Sequence, residues 1–510
     1  MPGPERFPAW NELSALARVP QTDTAPAAPW MISAAGLTVD FTKQLLDESV
    51  VRALLALAHE AGIGSAREQL FGGAEINNTE RRAVLHTALR GDDGAPFADV
   101  VSATRARLTR FADEVRTGVY RGYSGKSIRN IVHIGIGGSH LGPELAVEAL
   151  ASSALAPRCH FVANIDGHAL ARVLAECQPE TTLFVVVSKS FSTLETHVNA
   201  NSARTWFIER VGDRAAVARH FVAVSANVAA AEAFGIDPAQ IYPLWDWVGG
   251  RFSLWSAVGL PILFSAGPSA FDELLAGARA MDEHFRASDS AQNLPLLMAL
   301  VGFWNYLFRG AESLAILPYD QRLRLLPSYL QQLEMESNGK SVHRDGTPCQ
   351  IPTMPIVWGG EGTNGQHAFH QLLHQGTRRF TADFIAVAAP SHALEVHHRW
   401  LLANALAQSQ AMLLGQESDD PHRAVSGRKP STLILLDALT PARLGALLAL
   451  YEHKVFCQGV LWNINSFDQW GVEIGKRLAL PIFDQLSGAS IEGQDASTHA
   501  LIAALRTPPA

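Results

Sequence analysis

Short apolar runs typical of buried strands alternate with stretches of helical spacing over most of the chain. A first series of runs covers residues 131–136, 161–163, 183–187 and 221–224, and a second covers 313–317, 356–358, 384–388 and 433–436. Such alternation predicts βαβ units and mostly parallel sheets. We therefore expect an α/β protein with two similar lobes, although no residue-level repeat relates them.

The predicted domain boundaries follow from this pattern. Residues 41–112 carry apolar positions at helical spacing, interrupted by glycines, and no low-complexity linker separates the two lobes. We predict a helical N-terminal segment at 1–120 that packs on the second lobe, a first lobe at 121–285, a second lobe at 286–483 and a helical C-terminal tail at 484–510.

Charge and cysteine usage exclude several classes of protein. The chain has 510 residues and a formal net charge of −8, and its arginines are scattered, so we expect no nucleic-acid partner. The apolar stretches 255–266 and 295–308 are too short or too interrupted to span a bilayer, and the first residues lack a signal core, so we expect a cytoplasmic protein without a membrane partner. The four cysteines lie far apart, which indicates neither a zinc site nor a disulfide framework.

The stretch 131–143, which reads IVHIGIGGSHLGP, predicts a strand, a tight turn and a helix. Glycines let backbone amides approach an anion, and the helix adds its positive end. The spacing lacks both the lysine of a nucleotide P-loop and the full dinucleotide fingerprint. Taken alone, the stretch fits a phosphate site and a plain turn equally well.

A hydroxyl-rich run, SKSFSTLET at 188–196, follows the most apolar predicted strand. Ligands of parallel sheets bind beyond the carboxyl ends of the strands. Hydroxyls, amides and Lys189 can surround a phosphate there, while Thr193 caps the next helix. A plain Ser/Thr turn explains the run alone equally well, but two anion-suited turns in one lobe favour a phosphate monoester over a dinucleotide.

Arg251 follows a Gly-Gly turn among three tryptophans. This context suits a rigid guanidinium held against a developing oxyanion. The alternative is an aromatic core in which Arg251 pairs with Asp246.

Glu336 follows Gln332 by four residues, hence on the same helical face, just before an Asn-Gly helix stop. A carboxylate at the negative end of a helix is suited to accept and return a proton near neutral pH. Glu334 lies on another face, where we expect it to be solvated.

The glycine-rich loop 358–366 delivers His367, a candidate acid or base, to the start of a helical run. His374 follows seven residues later without a third ligand in register, so we expect a hydrogen-bonded packing residue and no metal site. Further on, Gln469 and Lys476 are predicted to lie two helical turns apart on one face. Alone, Lys476 would be read as a surface lysine.

Together these segments resemble the glucose-6-phosphate isomerase family, also called phosphoglucose isomerase. Further motifs that carry the resemblance are INNTE at 76–80, RAVLH at 82–86, LPYD at 317–320 and MESNGK at 335–340. The resemblance implies two sugar isomerase (SIS-type) lobes of three-layer α/β/α form, a homodimer with active sites at the interface, no metal and no organic cofactor. It implies reversible isomerisation of D-glucose 6-phosphate and D-fructose 6-phosphate.

The resemblance also implies roles for particular residues. Glu336 is matched to the catalytic base, Arg251 to the arginine that stabilises an enediolate, and His367 with Lys476 to the pair that opens the sugar ring. The residues matched to those that bind the substrate phosphate are Gly138, Ser139, Ser188, Lys189, Ser190 and Thr193. The residues matched to those that line the sugar are Gln332 and Gln469.

Departures from the family pattern are mild. Ser190 and Ser192 stand where threonine is frequent, which keeps the hydroxyl. Gly360-Glu361 replaces a frequent Glu-Pro, so we expect a loop of different stiffness before His367.

Two rival functions are weighed against this resemblance. An NAD-dependent dehydrogenase would share the strand–glycine–helix start, but the acidic residue expected after the next strand is absent, since Asp166 lies in a short turn. A non-catalytic sugar-phosphate sensor would keep the phosphate loops and lose the base, whereas Glu336 and Arg251 are both present.

Overall fold

The computed structural model describes residues 3–19, 30–91, 94–150 and 156–506. Contacts divide the chain into a body, Met1–Ser466, and a C-terminal unit, Phe467–Ala510. The described strands are β1 (Met31–Ala34), β2 (Leu37–Asp40), β3 (Asn130–Ile134), β4 (Arg158–Val162), β5 (Thr182–Val187), β6 (Phe221–Ser225), β7 (Ile241–Pro243), β8 (Ser313–Tyr319), β9 (Ile356–Gly359), β10 (Phe380–Ala389) and β11 (Ser431–Ala438).

The described α-helices connect and cover these strands. They are α1 (Pro8–Arg18), α2 (Glu48–Glu60), α3 (Ile63–Gly72), α4 (Ala98–Thr117), α5 (Leu141–Leu150), α6 (Gly167–Glu176), α7 (Leu194–Val211), α8 (Val217–His220), α9 (Val228–Phe234), α10 (Leu260–Ser265), α11 (Pro268–Ala287), α12 (Leu294–Leu307), α13 (Leu326–Leu330), α14 (Gly362–Gln366), α15 (His370–Gln375), α16 (Glu395–Leu414), α17 (Pro441–Leu461), α18 (Glu473–Leu486) and α19 (Ala496–Arg506).

The first sheet has the strand order β4-β3-β5-β6-β7, and all its pairs are parallel. Its central strand β5 is buried at every position, so both faces of the sheet are covered. On one face, side chains of β3, β5 and β6 pack against α6, α7 and α9 in a single apolar core. Because the strands are parallel, the loops after β3 and β5 leave the sheet at the same edge.

The second sheet has the order β1-β2-β11-β10-β8-β9. The strands β8 to β11 pair in parallel, whereas β2 runs antiparallel to β1 and to β11. The turn between β1 and β2 consists of Ala35 and Gly36, both at positive φ, as the twist of a two-residue hairpin requires. The N-terminal segment, expected to be helical, therefore also supplies an edge hairpin to this sheet.

The predicted fold class, α/β with mostly parallel sheets, is confirmed. Each predicted apolar run overlaps a strand, and the run at 384–388 lies inside the ten-residue β10. The three-residue β7 was not predicted, because so short a strand has no measurable alternation. The exact domain boundaries remain predictions.

The C-terminal unit contains α18 and α19. Helix α19 carries the apolar residues Leu501, Ile502 and Leu505, of which only Ile502 is buried. Arg506 Nε donates to the main-chain oxygen of Gln485 at 2.5 Å, which joins the two helices. In the part of the chain that the structure describes, no helix is both long and apolar enough to cross a membrane.

Candidate active site

The glycine loop follows β3 as a 3₁₀ turn, Gly137–Ser139, and leads into α5. A Cβ on Gly138 would lie 2.1 Å from the main-chain oxygen of Gly250 and 2.5 Å from the nitrogen of Arg251. Only glycine allows this approach. The loop is thereby packed directly against the segment that carries Arg251.

His133, inside β3, is hydrogen-bonded to the main chain of the glycine loop. Its Nε2 lies 2.6 Å from the main-chain oxygen of Ser139, and since a carbonyl only accepts, the ring nitrogen must donate. Burial lowers the pKa of His133 to about 4, which keeps the ring neutral. His133 is not among the predicted site residues. The signal that could have found it is one imidazole within an apolar strand run, directly before the glycines.

The hydroxyl-rich loop after β5 is fixed through its carbonyl groups. The oxygen of Lys189 accepts from Ser225 Oγ at 3.1 Å, and the oxygen of Ser190 accepts from Asn227 Nδ2 at 3.1 Å. Ser225 ends β6, the neighbouring strand, and Asn227 lies two residues further on. The loop is therefore shaped by contacts to an adjacent strand end and not by its own sequence alone.

Thr193 occupies the N-cap position of α7, as predicted, but its side chain makes no capping hydrogen bond. The prediction that Thr193 caps this helix is wrong in that respect. Its Oγ1 instead accepts from Ser188 Oγ at 3.2 Å. The two hydroxyls lie side by side at the helix N-terminus, where the macrodipole favours an anion.

Lys189 links this loop to the tryptophan-rich segment. Its Nζ lies 3.3 Å from Asp246 Oδ1 and donates to the main-chain oxygen of Asp246 at 3.2 Å. Burial lowers the pKa of Lys189, and Asp246 opposes that shift. The alternative in which Arg251 pairs with Asp246 in an aromatic core is wrong, because the Asp246 side chain is 70% exposed and faces Lys189.

Arg251 is buried and held by a fork of hydrogen bonds. Its Nε donates to Ser337 Oγ at 2.7 Å, and its Nη2 donates to the main-chain oxygen of Ser466 at 2.5 Å. Its Nη1 lies 3.8 Å from Glu336 Oε2. The guanidinium is thus fixed on one side and faces a carboxylate on the other.

Ser466 and Asn338 join the elements around this fork. Ser466 Oγ donates to Asn338 Oδ1 at 2.7 Å, and Asn338 Nδ2 donates to the oxygen of Val455 in α17 at 3.0 Å. A Cβ on Gly459 would lie 1.9 Å from Ser466 Oγ, so α17 needs glycine at this contact. Ser337 and Ser466 were not predicted as site residues.

The helix that carries Glu336 changes its winding. It begins as α13 and continues as a π-helix at Gln331–Glu336, a form that is rare and frequent at functional sites. A Cβ on Gly137 would lie 2.9 Å from Gln332 Nε2, so the predicted Gln332 reaches the glycine loop. The Glu336 side chain is 22% exposed beside Arg251.

The prediction that Glu334 is solvated is wrong. Its side chain is fully buried, and Lys454 Nζ donates to both of its carboxylate oxygens, at 2.8 and 2.9 Å. Burial raises the pKa of Glu334, and Lys454 opposes that shift. The face of this helix that carries Glu334 packs against α17 and not against solvent, which is why the prediction fails.

His367 is the C-cap of α14, directly after its last residue, and its side chain is exposed. The prediction that His374 is a hydrogen-bonded packing residue is confirmed, because its Nε2 lies 2.7 Å from Gln408 Oε1. Among the described residues there is no group of three or more His, Cys, Asp or Glu side chains arranged to hold a metal ion.

Gln469 and Lys476 belong to the C-terminal unit. The prediction that they share one helical face is wrong, since Gln469 has a non-helical backbone and precedes a 3₁₀ turn at Trp470–Val472. Lys476 lies in α18, where its Nζ contacts Glu473 Oε1 at 2.8 Å. Within the body, the structure brings together Gly138, Ser139, Gln332, Arg251 and Glu336, with Ser188, Lys189, Ser190 and Thr193 on the neighbouring strand end.

Mostly parallel sheets, with two anion-suited loops at the strand ends beside a carboxylate and a guanidinium, form a site suited to a phosphorylated ligand and to proton transfer. The family described as "Phosphoglucose isomerase" matches residues 40–502. The chain therefore belongs to the phosphoglucose isomerase family.

Individual relatives agree with this assignment. A glucose-6-phosphate isomerase of Burkholderia pseudomallei (strain 1106a) is 51% identical over 506 residues, which cover 96% of this chain and 94% of the relative. The crystal structure of a glucose-6-phosphate isomerase from Chlamydia trachomatis D/UW-3/Cx is similar with a TM-score of 0.87, 34% identity and 99% coverage of both chains. A hypothetical protein from Thermus thermophilus is similar with a TM-score of 0.66 and 26% identity, over 86% of this chain and 99% of its own.

Proposed function

We propose that this chain catalyses the reversible interconversion of D-glucose 6-phosphate and D-fructose 6-phosphate, in glycolysis and gluconeogenesis. The observation that carries the proposal is the contact between Arg251 and Glu336 beside the glycine loop. Membership of the family supports the substrate. The described cysteines are all free thiols, which supports a reducing compartment such as the cytoplasm.

The substrate phosphate binds between the two loops of the first lobe. The hydroxyls of Ser139, Ser188, Ser190 and Thr193 donate hydrogen bonds to its oxygens, and so do the amides of Gly138 and Lys189. The N-terminal end of α7 adds a favourable dipole. Anchoring the phosphate positions the first two sugar carbons for Glu336. We assign the lining of the sugar to Gln332 and Gln469 by family resemblance.

The chemical step is a proton transfer between adjacent carbons. Glu336 removes the proton from carbon 2 of the open-chain aldose, and the electron pair of that bond forms the carbon 1–carbon 2 double bond of a cis-enediolate. The carbonyl oxygen at carbon 1 becomes negative, and the Arg251 guanidinium stabilises it. After a proton passes between the two oxygens, Glu336 returns its proton to carbon 1 and the ketose results.

Ring opening precedes this step and requires the proton of the anomeric hydroxyl to leave while the ring oxygen gains one. We assign these transfers to His367 and Lys476, by family resemblance. The exposed position of His367 supports a histidine that serves the active site of a second copy of the chain. The exposed apolar side chains of α16, among them Trp400 at 67%, support a homodimer with active sites at the interface.

Turnover in deuterated water tests the proposed chemistry. A proton held by a carboxylate exchanges with solvent, whereas a hydride does not, so fructose 6-phosphate converted in D₂O should yield glucose 6-phosphate with deuterium at carbon 2. Incorporation is expected to be partial, because a closed site limits exchange. Turnover without any deuterium uptake over many reversible cycles would contradict the enediolate route.

Mixing two inactive variants tests the shared site. Glu336→Gln and His367→Ala chains, unfolded together and refolded, form some mixed dimers in which one site keeps both residues. We expect activity to return in the mixture and not in either variant refolded alone. Mixed dimers that are demonstrably present but inactive would contradict the assignment of His367 to the partner's site.

A further inference from the structure

A second polar cavity lies at the opposite end of the second sheet from the candidate active site. It has a volume of about 550 Å³ and opens where β8, β10 and β11 begin, because its walls include Ala311, Arg379 and Pro430, which lie one or two residues before these strands. The seven residues of β8 separate it from the carboxyl edge by roughly 20 Å, at about 3.3 Å per residue. The cavity is therefore distinct from the site that holds Glu336.

The cavity is lined by five positively charged side chains on an otherwise acidic chain. Among the described residues that form its walls there is no aspartate or glutamate. Glu312, directly before β8, lies 3.2 Å from one of the five, Arg378, and the protein as a whole carries a formal net charge of −8. The five cations are Arg309, Arg378, Arg379, Arg428 and Lys429.

Several of these cations are held in place by neutral acceptors. Lys429 Nζ donates to the main-chain oxygen of Leu373 at 2.6 Å and also to that of His374. Arg379 Nη1 donates to the oxygen of Arg309 at 2.9 Å. A carbonyl positions a charged donor without neutralising it, so these positive charges persist in the cavity.

The floor of the cavity is rigid and polar. Asn305 Nδ2 donates to Gln44 Oε1 at 2.8 Å, and Gln44 Nε2 donates to Thr432 Oγ1 at 2.6 Å, all three residues being buried. Such a floor is preformed, and the cavity volume lies in the range of small-molecule sites.

The clustered cations repel one another electrostatically, and a bound anion would offset this repulsion. Burial lowers the pKa of Arg309, and the neighbouring Arg379 and Arg428 lower it further by like-charge repulsion. A bound anion would offset this repulsion and accept charge-assisted hydrogen bonds from several guanidinium groups at once.

We propose that this cavity is a second ligand site, separate from the active site, that binds a small anion with more than one negative charge, such as a compound with two phosphate groups. Inorganic pyrophosphate is the simplest probe of this chemistry. The site binds it while the active site is occupied by sugar phosphate.

Titration calorimetry of the full chain with pyrophosphate tests the proposal, at constant ionic strength and in a saturating equilibrium mixture of fructose 6-phosphate and glucose 6-phosphate. We expect one bound pyrophosphate per chain. The double variant Arg379→Gln/Arg428→Gln removes two exposed charges of the cavity and should weaken this binding at least ~10-fold, since each charge-assisted hydrogen bond matters. Its turnover without pyrophosphate should equal that of the wild type.

The matched control is Arg172→Gln/Arg210→Gln, which removes the same charge from exposed positions of the first lobe. It should bind pyrophosphate as the wild type does. The proposal would be overturned if the sugar phosphates displaced pyrophosphate completely from the wild type, or if both double variants weakened pyrophosphate binding equally. It would also be overturned if the protein bound a single-stranded RNA of about 20 nucleotides but no pyrophosphate.

Discussion

Two carboxylates two residues apart on one π-helix meet opposite surroundings. Glu334 is fully buried and shares both oxygens with Lys454 at 2.8 and 2.9 Å. Glu336 is 22% exposed, and its closest approach to Arg251 is 3.8 Å. The first pair is closed, whereas the second leaves the carboxylate open on the side of the candidate site.

The difference separates a group that maintains the fold from a group that can react. A carboxylate in a tight buried pair cannot take a substrate proton without leaving a buried cation unpaired. A carboxylate at long range from a fixed guanidinium keeps lone pairs available and stays next to the charge that an enediolate would need. Glu334 faces Lys454 of α17, whereas Glu336 faces Arg251, whose main chain packs against the glycine loop.

Removing the open carboxylate should have the largest effect on turnover. Glu336→Gln keeps the size of the side chain and loses the base, so isomerisation should fall by about 10² to 10⁴. A coupled assay that starts from fructose 6-phosphate measures it. The melting temperature should stay close to that of the wild type, because this side chain is partly exposed. Near-normal isomerisation by pure Glu336→Gln would remove Glu336 as the base.

Removing the closed carboxylate should show the reverse pattern. Glu334→Gln leaves Lys454 buried without its partner, which should lower the free energy of unfolding by about 3–5 kcal/mol, as measured by denaturant titration. Turnover per folded molecule should be largely kept. The matched control Glu334→Gln/Lys454→Met removes both charges and should recover much of the loss. Equal stability of the single and the double variant would contradict a stabilising pair.

The contrast between these two carboxylates could not be read from the sequence. The spacing of Gln332 and Glu336 indicated a shared face, and the structure keeps Gln332 against the glycine loop and Glu336 beside Arg251. The opposite face, which carries Glu334, packs against Lys454 of α17, and no local sequence pattern predicts that partner. Ser337 and Ser466 escaped notice for another reason, since the bond from Arg251 to Ser466 spans 215 residues.

The fold was more predictable than the contacts. Long apolar runs such as β5 and β10 were found because parallel strands are buried on both faces. The hairpin β1–β2 was not, since its partner β11 lies about 400 residues later and only that pairing stabilises so short a hairpin. Gln469 was placed on a helix because the residues after it are helical, and its own backbone departs from that pattern.

Substitutions of Arg251 test the role of the cation that faces Glu336. Arg251→Ala removes the charge next to the developing oxyanion and should lower kcat by about 10² to 10³, with a smaller change in KM. Arg251→Lys keeps a positive charge and loses the fork to Ser337 and Ser466, so its kcat should lie between those of the wild type and Arg251→Ala. Steady-state kinetics of both variants measure this order. A defect confined to KM would instead indicate that Arg251 only binds substrate.

His133 is a buried neutral group, and its titration should make the stability of the protein depend on pH. The pKa of about 4 lies below the ordinary value of 6.5, so the unfolded chain binds more protons between these values, and stability falls as pH falls. From pH 6.5 to 4.5 this one group should cost about 2 kcal/mol of unfolding free energy. His133→Gln can keep a donor for Ser139 and should lack this contribution. Denaturant titrations of both proteins at both pH values should show parallel losses if His133 does not titrate this way.

The last comparison concerns the phosphate grip, where no buried charge is involved. Ser188→Ala removes the hydroxyl that donates to Thr193 Oγ1, and Thr193→Val removes its partner at similar volume. If both hydroxyls bind the phosphate, each loss should weaken sugar-phosphate binding by about 1.5–3 kcal/mol, roughly 10- to 150-fold in KM, with kcat changed far less. The matched control is Ser192→Ala, whose hydroxyl donates to Ser190 within the same loop at 2.9 Å and has no predicted role in the grip. Steady-state kinetics with fructose 6-phosphate and with unphosphorylated fructose separate the two explanations. If a phosphate contact is lost, the preference in kcat/KM for fructose 6-phosphate over fructose should become smaller. If the loop is distorted instead, kcat should fall for both sugars. An unchanged KM in both variants would show that these hydroxyls do not bind the phosphate.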